Sequence, residues 1–325
     1  MQRPWRVVSM PSNRHFVAGT RSRAVPETPA RIDVRKRRAR CGRICNDDVA
    51  PVCEDSRVNP HADHAAAFRR FHAGGVLRLA NAWDAGSARL IESLGAPAIA
   101  TTSAGVAWSR GYADGDELPI EHLLTAVQEI ARVIRVPLSV DVEGGYSDNP
   151  AVVADNVLRV AELGAVGINL EDGSGAPEML CAKIAAIRQR CAAAGLDVFV
   201  NARTDVYLRG LAPTEQRVEM VLVRAAQYRQ AGADGLFVPG LTEADEIRAV
   251  AEGVVLPLNV MLRPNLPTLA NLESLGVRRL SAGSALSEAV FAHVRQQATA
   301  FLGDDPGINA ERMGYGDING LFQAR

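Results

Sequence analysis

Two carboxylates stand where a predicted strand runs into a glycine turn. In LSVDVEGGYSDNP, residues 138–150, the apolar strand ends at Asp141 and Glu143, and Gly144 and Gly145 follow. Residues two apart on a strand point to the same face, so both carboxylates can face one site. Converging carboxylates repel each other unless a cation compensates their charge. Oxygen ligands without paired thiols favour Mg²⁺ or Mn²⁺ over Zn²⁺.

Similar residues end the neighbouring predicted strands. Glu171 and Asp172 follow the apolar segment GINL, and VFVNARTD ends with Arg203 and Asp205. The planar guanidinium of Arg203 suits a substrate carboxylate or phosphate. Other polar residues at strand ends are Asp84, Thr101, Thr102, Ser103, Asn201 and Asn259.

Each of these residues also has a purely structural alternative. Asp84 could cap the helix that follows it, and Asn259 could satisfy backbone groups. Arg203 and Asp205 could pair with each other, and Glu171 could be solvated. The recurrence of such residues at successive strand ends nevertheless favours one shared site.

The elements that must position these residues alternate regularly from about residue 66. Eight short apolar strands are each followed by a helical stretch, within about 235 residues. After the second strand, residues 98–103, a long loop precedes the helix at 119–134. Strands that are apolar throughout indicate a parallel sheet covered by helices.

This pattern predicts an α/β fold, a (β/α)8 TIM barrel over residues 66–302. Functional residues of such barrels lie at the C-terminal ends of the strands. A doubly wound sheet is the alternative, but the turn NAWDAGSA lacks its glycine-rich phosphate motif.

The two ends of the chain differ from this core. Residues 1–60 contain twelve Arg, one Lys, six acidic residues and the run RKRRAR. We expect a disordered basic extension that the fold does not use; a nucleic-acid-binding arm and a transit segment are the alternatives. Residues 303–325 form a tail of weak periodicity that could pack on a neighbouring subunit or be mobile.

Composition narrows the class of protein further. The 325 residues carry a net charge of −1, and no apolar run approaches the ~18–20 residues of a membrane span. Five cysteines in a chain of this size suggest free thiols in a reducing cytoplasm. Cys41, Cys45 and Cys53 match no closed zinc pattern, and Cys181 and Cys191 fall on a predicted helix. We expect a cytoplasmic protein without membrane contact, and nucleic-acid binding is disfavoured.

An ordered set of motifs resembles the isocitrate lyase/phosphoenolpyruvate mutase superfamily. The motifs are NAWDAGSARLIE (81–92), TTSAGVAW (101–108), GYADGD (111–116), DVEGGY (141–146), GINLEDG (167–173) and NARTD (201–205). The resemblance implies a (β/α)8 barrel, often with its eighth helix swapped between subunits of a homodimer or homotetramer. It also implies a Mg²⁺ site, or Mn²⁺ in its place, and enolate chemistry on small 2-oxo acids.

The resemblance also implies roles for individual residues. Asp141 would be the direct metal ligand, and Asp114, Glu143 and Glu171 would hold metal-bound waters. Glu143 is a departure, because many members have Asp there. Arg203 would bind the substrate carboxylate and act in catalysis with Glu171 and Asp114. The substrate would also contact Thr102, Ser103, Ala104 and Asn259.

The loop after the fourth predicted strand departs from the better-known members. This chain reads EDGSGAPEMLCAKIAAIR, with neither the KKCGH-type segment of the lyases nor the Lys and Asn-Ser of the mutases. Lys183 could therefore lie on a helix surface. The hypotheses are a Mg²⁺-dependent carbon–carbon lyase or decarboxylase on a 2-oxo or 2-hydroxy dicarboxylate, P–C bond chemistry, and a non-catalytic metabolite binder.

Overall fold

The computed structural model describes residues 60–303 and 311–323. Within them, strands and helices alternate along the chain. The strands are β1 (Leu77–Leu79), β2 (Asn81–Ala82), β3 (Ile99–Thr101), β4 (Leu138–Asp141), β5 (Ala165–Glu171), β6 (Phe199–Arg203), β7 (Gly235–Phe237), β8 (Leu258–Met261) and β9 (Val277–Ser281). The helices are α1 (Pro60–Phe71), α2 (Ala85–Ser93), α3 (Ser103–Ser109), α4 (Ile120–Val133), α5 (Pro150–Glu162), α6 (Pro177–Ala193), α7 (Arg217–Ala231, after a 3₁₀ turn at Thr214–Gln216), α8 (Ala244–Gly253), α9 (Leu269–Ser274), α10 (Ala285–Phe301) and α11 (Tyr315–Gly320).

The strands form one parallel sheet that closes into a barrel. Its order is β1-β9-β8-β7-β6-β5-β4-β3-β2. Only Ala80 separates β1 from β2, so they act as one barrel strand in two parts. The first part pairs with β9 and the second with β3, which joins the two edges of the sheet. The (β/α)8 prediction is therefore confirmed.

Helix α1 closes the N-terminal end of this barrel. Phe68 on α1 is fully buried and meets the ring of Phe199 on β6 edge to face, with 5.6 Å between ring centroids. The two rings belong to an apolar cluster that also contains Leu77, Leu79 and Val166. The barrel is thus apolar at its base, and polar residues collect at the opposite end, which we call the barrel mouth.

The predicted helices are all present, but the sequence pattern does not predict α1, α3 or α11. The predicted long loop after β3 is wrong in part, because it contains helix α3. Ala104, Val106 and Ala107 are buried there, but a short run of small residues shows no amphipathic period. Asp84 forms a capping box with Ser87 at the start of α2, as its structural alternative predicted. Cys181 and Cys191 lie on α6 as predicted.

The C-terminal helices α10 and α11 are more exposed than the helices around the sheet. Helix α10 exposes the apolar side chains of Val290, Phe291 and Val294, and the swap of this helix between subunits stays a prediction. The described part of the tail contacts α2 of its own chain, where Arg89 Nε donates to Leu321 O at 2.7 Å.

Several predictions fall on residues outside those described. The basic extension with RKRRAR precedes α1, and Cys41, Cys45 and Cys53 belong to the same segment. Among the described residues, no helix has both the length and the apolar character that crossing a membrane requires.

Candidate active site

A polar cavity of about 160 Å³ opens at the barrel mouth. Ligand pockets for drug-sized molecules measure roughly 300–1,000 Å³, so this cavity suits a smaller molecule. Six predicted site residues line it: Thr102, Ser103, Ala104, Asp114, Asp141 and Arg203. Sequence reasoning missed other lining residues, among them Asn81, Asn169, Arg263, Ser281 and Ser284.

Asp141 ends β4 and is held at the cavity by neighbouring strands. Its backbone N–H donates to Thr101 Oγ1 at 2.9 Å, and its Oδ2 accepts from Asn169 Nδ2 at 3.1 Å. Its Oδ1 accepts from the backbone N–H of Glu143 at 3.1 Å. The side chain is only 7% exposed, and burial raises its pKa, against the positive charge of Arg203. The carboxylate is therefore oriented on both oxygens and directed at the cavity.

Glu143 turns away from the cavity and holds a loop. Its Oε2 accepts from the N–H of Gly115 at 3.0 Å and from that of Asp116, and its Oε1 accepts from Tyr146 Oη at 2.9 Å. Burial raises the pKa of Glu143 to about 7. The loop it holds carries Asp114, which lines the cavity. Glu143 thus fixes the place of Asp114, and its predicted contact with a metal-bound water stays a prediction.

The Gly144–Gly145 turn is close-packed, and Gly145 is the position that requires a glycine. Gly145 has φ +95°, and a Cβ there would lie 2.5 Å from Val153 Cγ1. A Cβ on Gly144 would lie 2.7 Å from Asp116 Oδ2. Lys183 on α6 is buried and donates from Nζ to Gly144 O at 2.7 Å, so it does not lie on the helix surface. The lysine anchors the turn that follows Asp141.

Arg203 is held by carboxylates on two sides. Its Nη1 lies 2.6 Å from Glu171 Oε2. Its Nε and Nη2 donate to the two oxygens of Asp205 at 2.7 and 3.0 Å. The pairing alternative for Arg203 and Asp205 is therefore correct, and Arg203 lines the cavity as well. A guanidinium has five N–H donors, and these contacts use three, so donors remain for a substrate carboxylate.

Glu171 and its neighbour Asp172 make different contacts near Arg203. Burial raises the pKa of Glu171 to about 8, although Arg203 lowers it. Asp172 Oδ1 accepts from the backbone N–H of Asp205 at 3.0 Å. Its Oδ2 accepts from Arg224 Nη1 and from Tyr228 Oη, each at 2.5 Å. Asp172 is therefore a buried structural residue that fixes the segment after β6.

Asn259 lies below the surface of the cavity. It is 1% exposed, and its Oδ1 accepts from Ser281 Oγ at 3.2 Å. Ser281 does line the cavity. The predicted influence of Asn259 on substrate would therefore pass through Ser281.

The residues at the mouth fit a hard divalent cation with one direct protein ligand. Within residues 60–303 and 311–323, no three His, Cys, Asp or Glu side chains are placed to enclose a metal ion. Mg²⁺ keeps several waters and needs only one or two carboxylates, so Asp141 with water-mediated neighbours suffices. The oxygen atoms that line the cavity belong to carboxylates, amides and hydroxyls, and among the described residues its lining contains one thioether, that of Met261, but no imidazole or thiol. This donor set suits Mg²⁺ or Mn²⁺ and not Zn²⁺.

The loop between β5 and α6 is short. It comprises residues 172–176, because α6 begins at Pro177. Cys181 and Lys183 follow on the helix, so neither belongs to this loop.

Comparisons with known proteins place the chain in a family. A family model described as phosphoenolpyruvate phosphomutase matches residues 68–302. An uncharacterised protein of Mycobacterium tuberculosis is 41% identical over 224 residues, which cover 67% of this chain and 82% of that protein. The 2-methylisocitrate lyase of Salmonella typhimurium is 30% identical, with 69% of this chain and 75% of that enzyme covered.

Two further comparisons extend the range of chemistry. The oxaloacetate decarboxylase of Pseudomonas entomophila is 28% identical, covering 72% of this chain and 82% of that enzyme. A Burkholderia cenocepacia structure assigned as a phosphonomutase superposes with a TM-score of 0.70 and 39% identity. That similarity covers 73% of this chain and 99% of the Burkholderia chain.

Proposed function

Because the chain belongs to the phosphoenolpyruvate phosphomutase family, in the isocitrate lyase/phosphoenolpyruvate mutase superfamily, we propose that it is a divalent-cation-dependent carbon–carbon lyase. Its substrate would be a small 2-oxo or 2-hydroxy dicarboxylate, and decarboxylation is the simplest form of the reaction. The relatives named as oxaloacetate decarboxylase and 2-methylisocitrate lyase support this choice.

One observation carries the proposal. The oriented carboxylate of Asp141 and the guanidinium of Arg203 line the same small cavity. The first is the type of ligand that Mg²⁺ prefers, and the second has free donors for a carboxylate. A small acid that bridges the two would match the volume and the charges of the cavity.

The protein groups have distinct tasks in this reaction. When bound at Asp141, the cation would supply positive charge that stabilises the additional negative charge of an enolate relative to the 2-oxo form. Arg203 would hold one carboxylate of the substrate. Helix α3 begins at Ser103, so the N–H groups of Ser103 and Ala104 in its first turn can donate to further substrate oxygens. The N–H of Thr102 instead donates to Ala82 O at 3.0 Å.

The short β5–α6 loop favours a reaction that needs little from it. Loss of CO₂ from a 2-oxo dicarboxylate breaks one C–C bond and leaves its electron pair on the enolate. Water can then supply the proton at carbon. A hydroxyl-bearing substrate needs a base in addition, and the five residues of this loop include Asp172, which is already buried in other contacts.

P–C bond chemistry on phosphonopyruvate or phosphoenolpyruvate is the second candidate. The description of the matching family and the Burkholderia structure assigned as a phosphonomutase favour it. The same cavity would then hold the phosphonate in place of the second carboxylate.

A turnover panel separates these candidates. Oxaloacetate, methylisocitrate, dimethylmalate, phosphonopyruvate and phosphoenolpyruvate would each be incubated with protein and Mg²⁺, and again with a chelator. We expect metal-dependent pyruvate and CO₂ from oxaloacetate, and loss of this activity in Asp141→Asn. Asp155→Asn removes an exposed acid of α5 that pairs with Arg190, and it should retain the activity.

Other results would redirect or refute the proposal. Phosphate release or phosphonate rearrangement without C–C cleavage would establish the second candidate. Ligand binding with no turnover of any substrate, unchanged in Asp141→Asn, would indicate a metabolite binder.

A further inference from the structure

A buried arginine lies directly beneath the cavity. Arg279 on β9 is 1% exposed, and it is among the largest fully buried side chains of the described residues. Ser281, two residues further along the same strand, lines the cavity. Since alternate residues of a strand share a face, Arg279 lies one layer deeper in the barrel than Ser281.

The contacts of Arg279 lead to Asp141. Its Nη2 donates to Asn169 Oδ1 at 3.2 Å, and its Nε donates to Ser281 Oγ at 3.3 Å. Asn169 Oδ1 also accepts from Asn201 Nδ2 at 2.9 Å. With two donors on its oxygen, the amide of Asn169 is fixed in one orientation. Its nitrogen must then point to Asp141 Oδ2, which it reaches at 3.1 Å.

Among the described residues, no carboxylate pairs directly with the guanidinium of Arg279. Arg is almost never fully buried unless a carboxylate pairs with it. Within the same residues Nη1 has no hydrogen-bond partner, and Asp141 is the charge that favours the protonated guanidinium. Burial lowers the pKa of Arg279 to about 9, so the group still carries its charge at neutral pH. An isolated buried charge is costly, and an apolar side chain would fill a barrel core more favourably.

We propose that Arg279 is a positioning residue of the metal centre, which acts on the ligand Asp141 through the amide of Asn169. The proposal rests on the function proposed above, since it assumes a divalent cation at Asp141. Arg279 does not touch the substrate or the cation. It fixes Asn169 and balances the charge of Asp141 when the cation is absent.

The test measures Mn²⁺ binding to the purified full-length chain, from the electron paramagnetic resonance signal of free Mn²⁺. Arg279→Met keeps a similar volume without the charge or the donors. We expect it to weaken Mn²⁺ binding about 10- to 100-fold, the usual cost of losing a group that orients a metal ligand. Arg279→Lys keeps the charge and one donor, and it should fall between Arg279→Met and the wild type.

A matched variant controls for lost stability. Arg188 on α6 is ion-paired with Asp234 and donates to Val198 O, at the N-terminal end of β6. Arg188→Met removes the same charge far from the mouth, so it should lower the melting temperature and leave Mn²⁺ binding unchanged. Unchanged or tighter Mn²⁺ binding in folded Arg279→Met would overturn the proposal.

The remaining outcomes are also distinguishable. If Arg279→Met does not fold, Arg279→Lys decides, and wild-type affinity in that variant overturns the proposal. If the wild type binds no Mn²⁺ at millimolar concentration, the proposed function fails, and the role of Arg279 fails with it. Wild-type binding without any effect at Arg279 would overturn the positioning role alone.

Discussion

We expect the fold to lose stability as the pH falls from 6.5 towards 4, because of His72. This residue follows α1 at the base of the barrel, where it is 6% exposed and stacks on Phe199 with 4.2 Å between ring centroids. Its Nδ1 lies 2.8 Å from Phe68 O, and its Nε2 has no hydrogen-bond partner in the part of the chain that the structure describes. A second proton would therefore give the buried ring a positive charge, and its Nε2–H would have no hydrogen-bond acceptor among the described residues.

The size of this effect follows from the pKa shift. Burial lowers the pKa of His72 from 6.5 to about 4, and the charge of Arg279 adds to the shift. Between pH 6.5 and about 4, His72 is protonated in the unfolded chain but neutral in the folded chain. Its contribution to the free energy of unfolding is therefore complete above pH 6.5 and decreases as the pH falls below it. The free energy of unfolding should drop by about 2 kcal/mol at pH 5 and about 3 kcal/mol at pH 4 from this group alone.

Urea unfolding at pH 7.5 and pH 5 measures the drop. His72→Asn keeps a donor near the position of Nδ1 but cannot titrate. Other groups change with pH in both proteins, so the relevant quantity is the difference between the two drops. We expect the wild type to lose about 2 kcal/mol more than His72→Asn. Equal losses in both proteins would show that His72 is not buried as a neutral ring.

Three further substitutions test other parts of the structure by urea unfolding at pH 7.5. Asp205→Asn should lower the free energy of unfolding by roughly 3–5 kcal/mol, because Asp205 is fully buried and pairs with Arg203 and Arg209. A decrease below about 1 kcal/mol would contradict the pairing. Gly145→Ala should lower the free energy of unfolding by well over the ~1 kcal/mol that an alanine in the left-handed backbone conformation costs, since its Cβ would meet Val153. Gly95→Ala, with φ +89° and open space around it, is its control, and equal costs would refute the clash. Asp84→Ala should lose about 1 kcal/mol with the cap of α2, and no loss would show the cap to be unimportant.

The barrel could be predicted because its signal is local and repeated. Apolar strands alternate with helices, and the polar residues at the strand ends mark the mouth. The superfamily predicted from the motifs is confirmed. Helix α3 was not predictable from periodicity, since SAGVAWS is short and buried along most of its length. The break at Ala80 depends on pairing with two different strands, which the segment itself does not encode.

Some of the residues that line the cavity could be predicted from the sequence, but their contacts could not. Asp141 and Arg203 line the cavity as expected. The sequence indicates Glu143 equally strongly, yet its carboxylate is bound by the N–H groups of a loop 27 and 28 residues earlier. Asn169 and Arg279 lie on predicted strands, and strand alternation could have placed Asn169 on the face of Glu171. Their pairing across 110 residues of sequence could not have been foreseen.

Three residues near the barrel mouth have left-handed backbone conformations and are joined by hydrogen bonds. Asp116, Glu143 and Tyr146 all have φ between +51° and +61°, which is unfavourable for residues with a side chain. The three are joined to each other: Glu143 accepts from the backbone of Asp116 and from the hydroxyl of Tyr146, and Asp116 Oδ1 accepts from the N–H of Tyr146 at 3.3 Å. The hydrogen bonds offset the cost of the strained conformations, and Glu143 and Tyr146 lie in the segment that leads the chain away from Asp141. An aspartate at 143 would be one carbon shorter and could not keep both ends of this bridge. The glutamate therefore suits a chain whose Asp114 loop is held directly by the segment that follows Asp141.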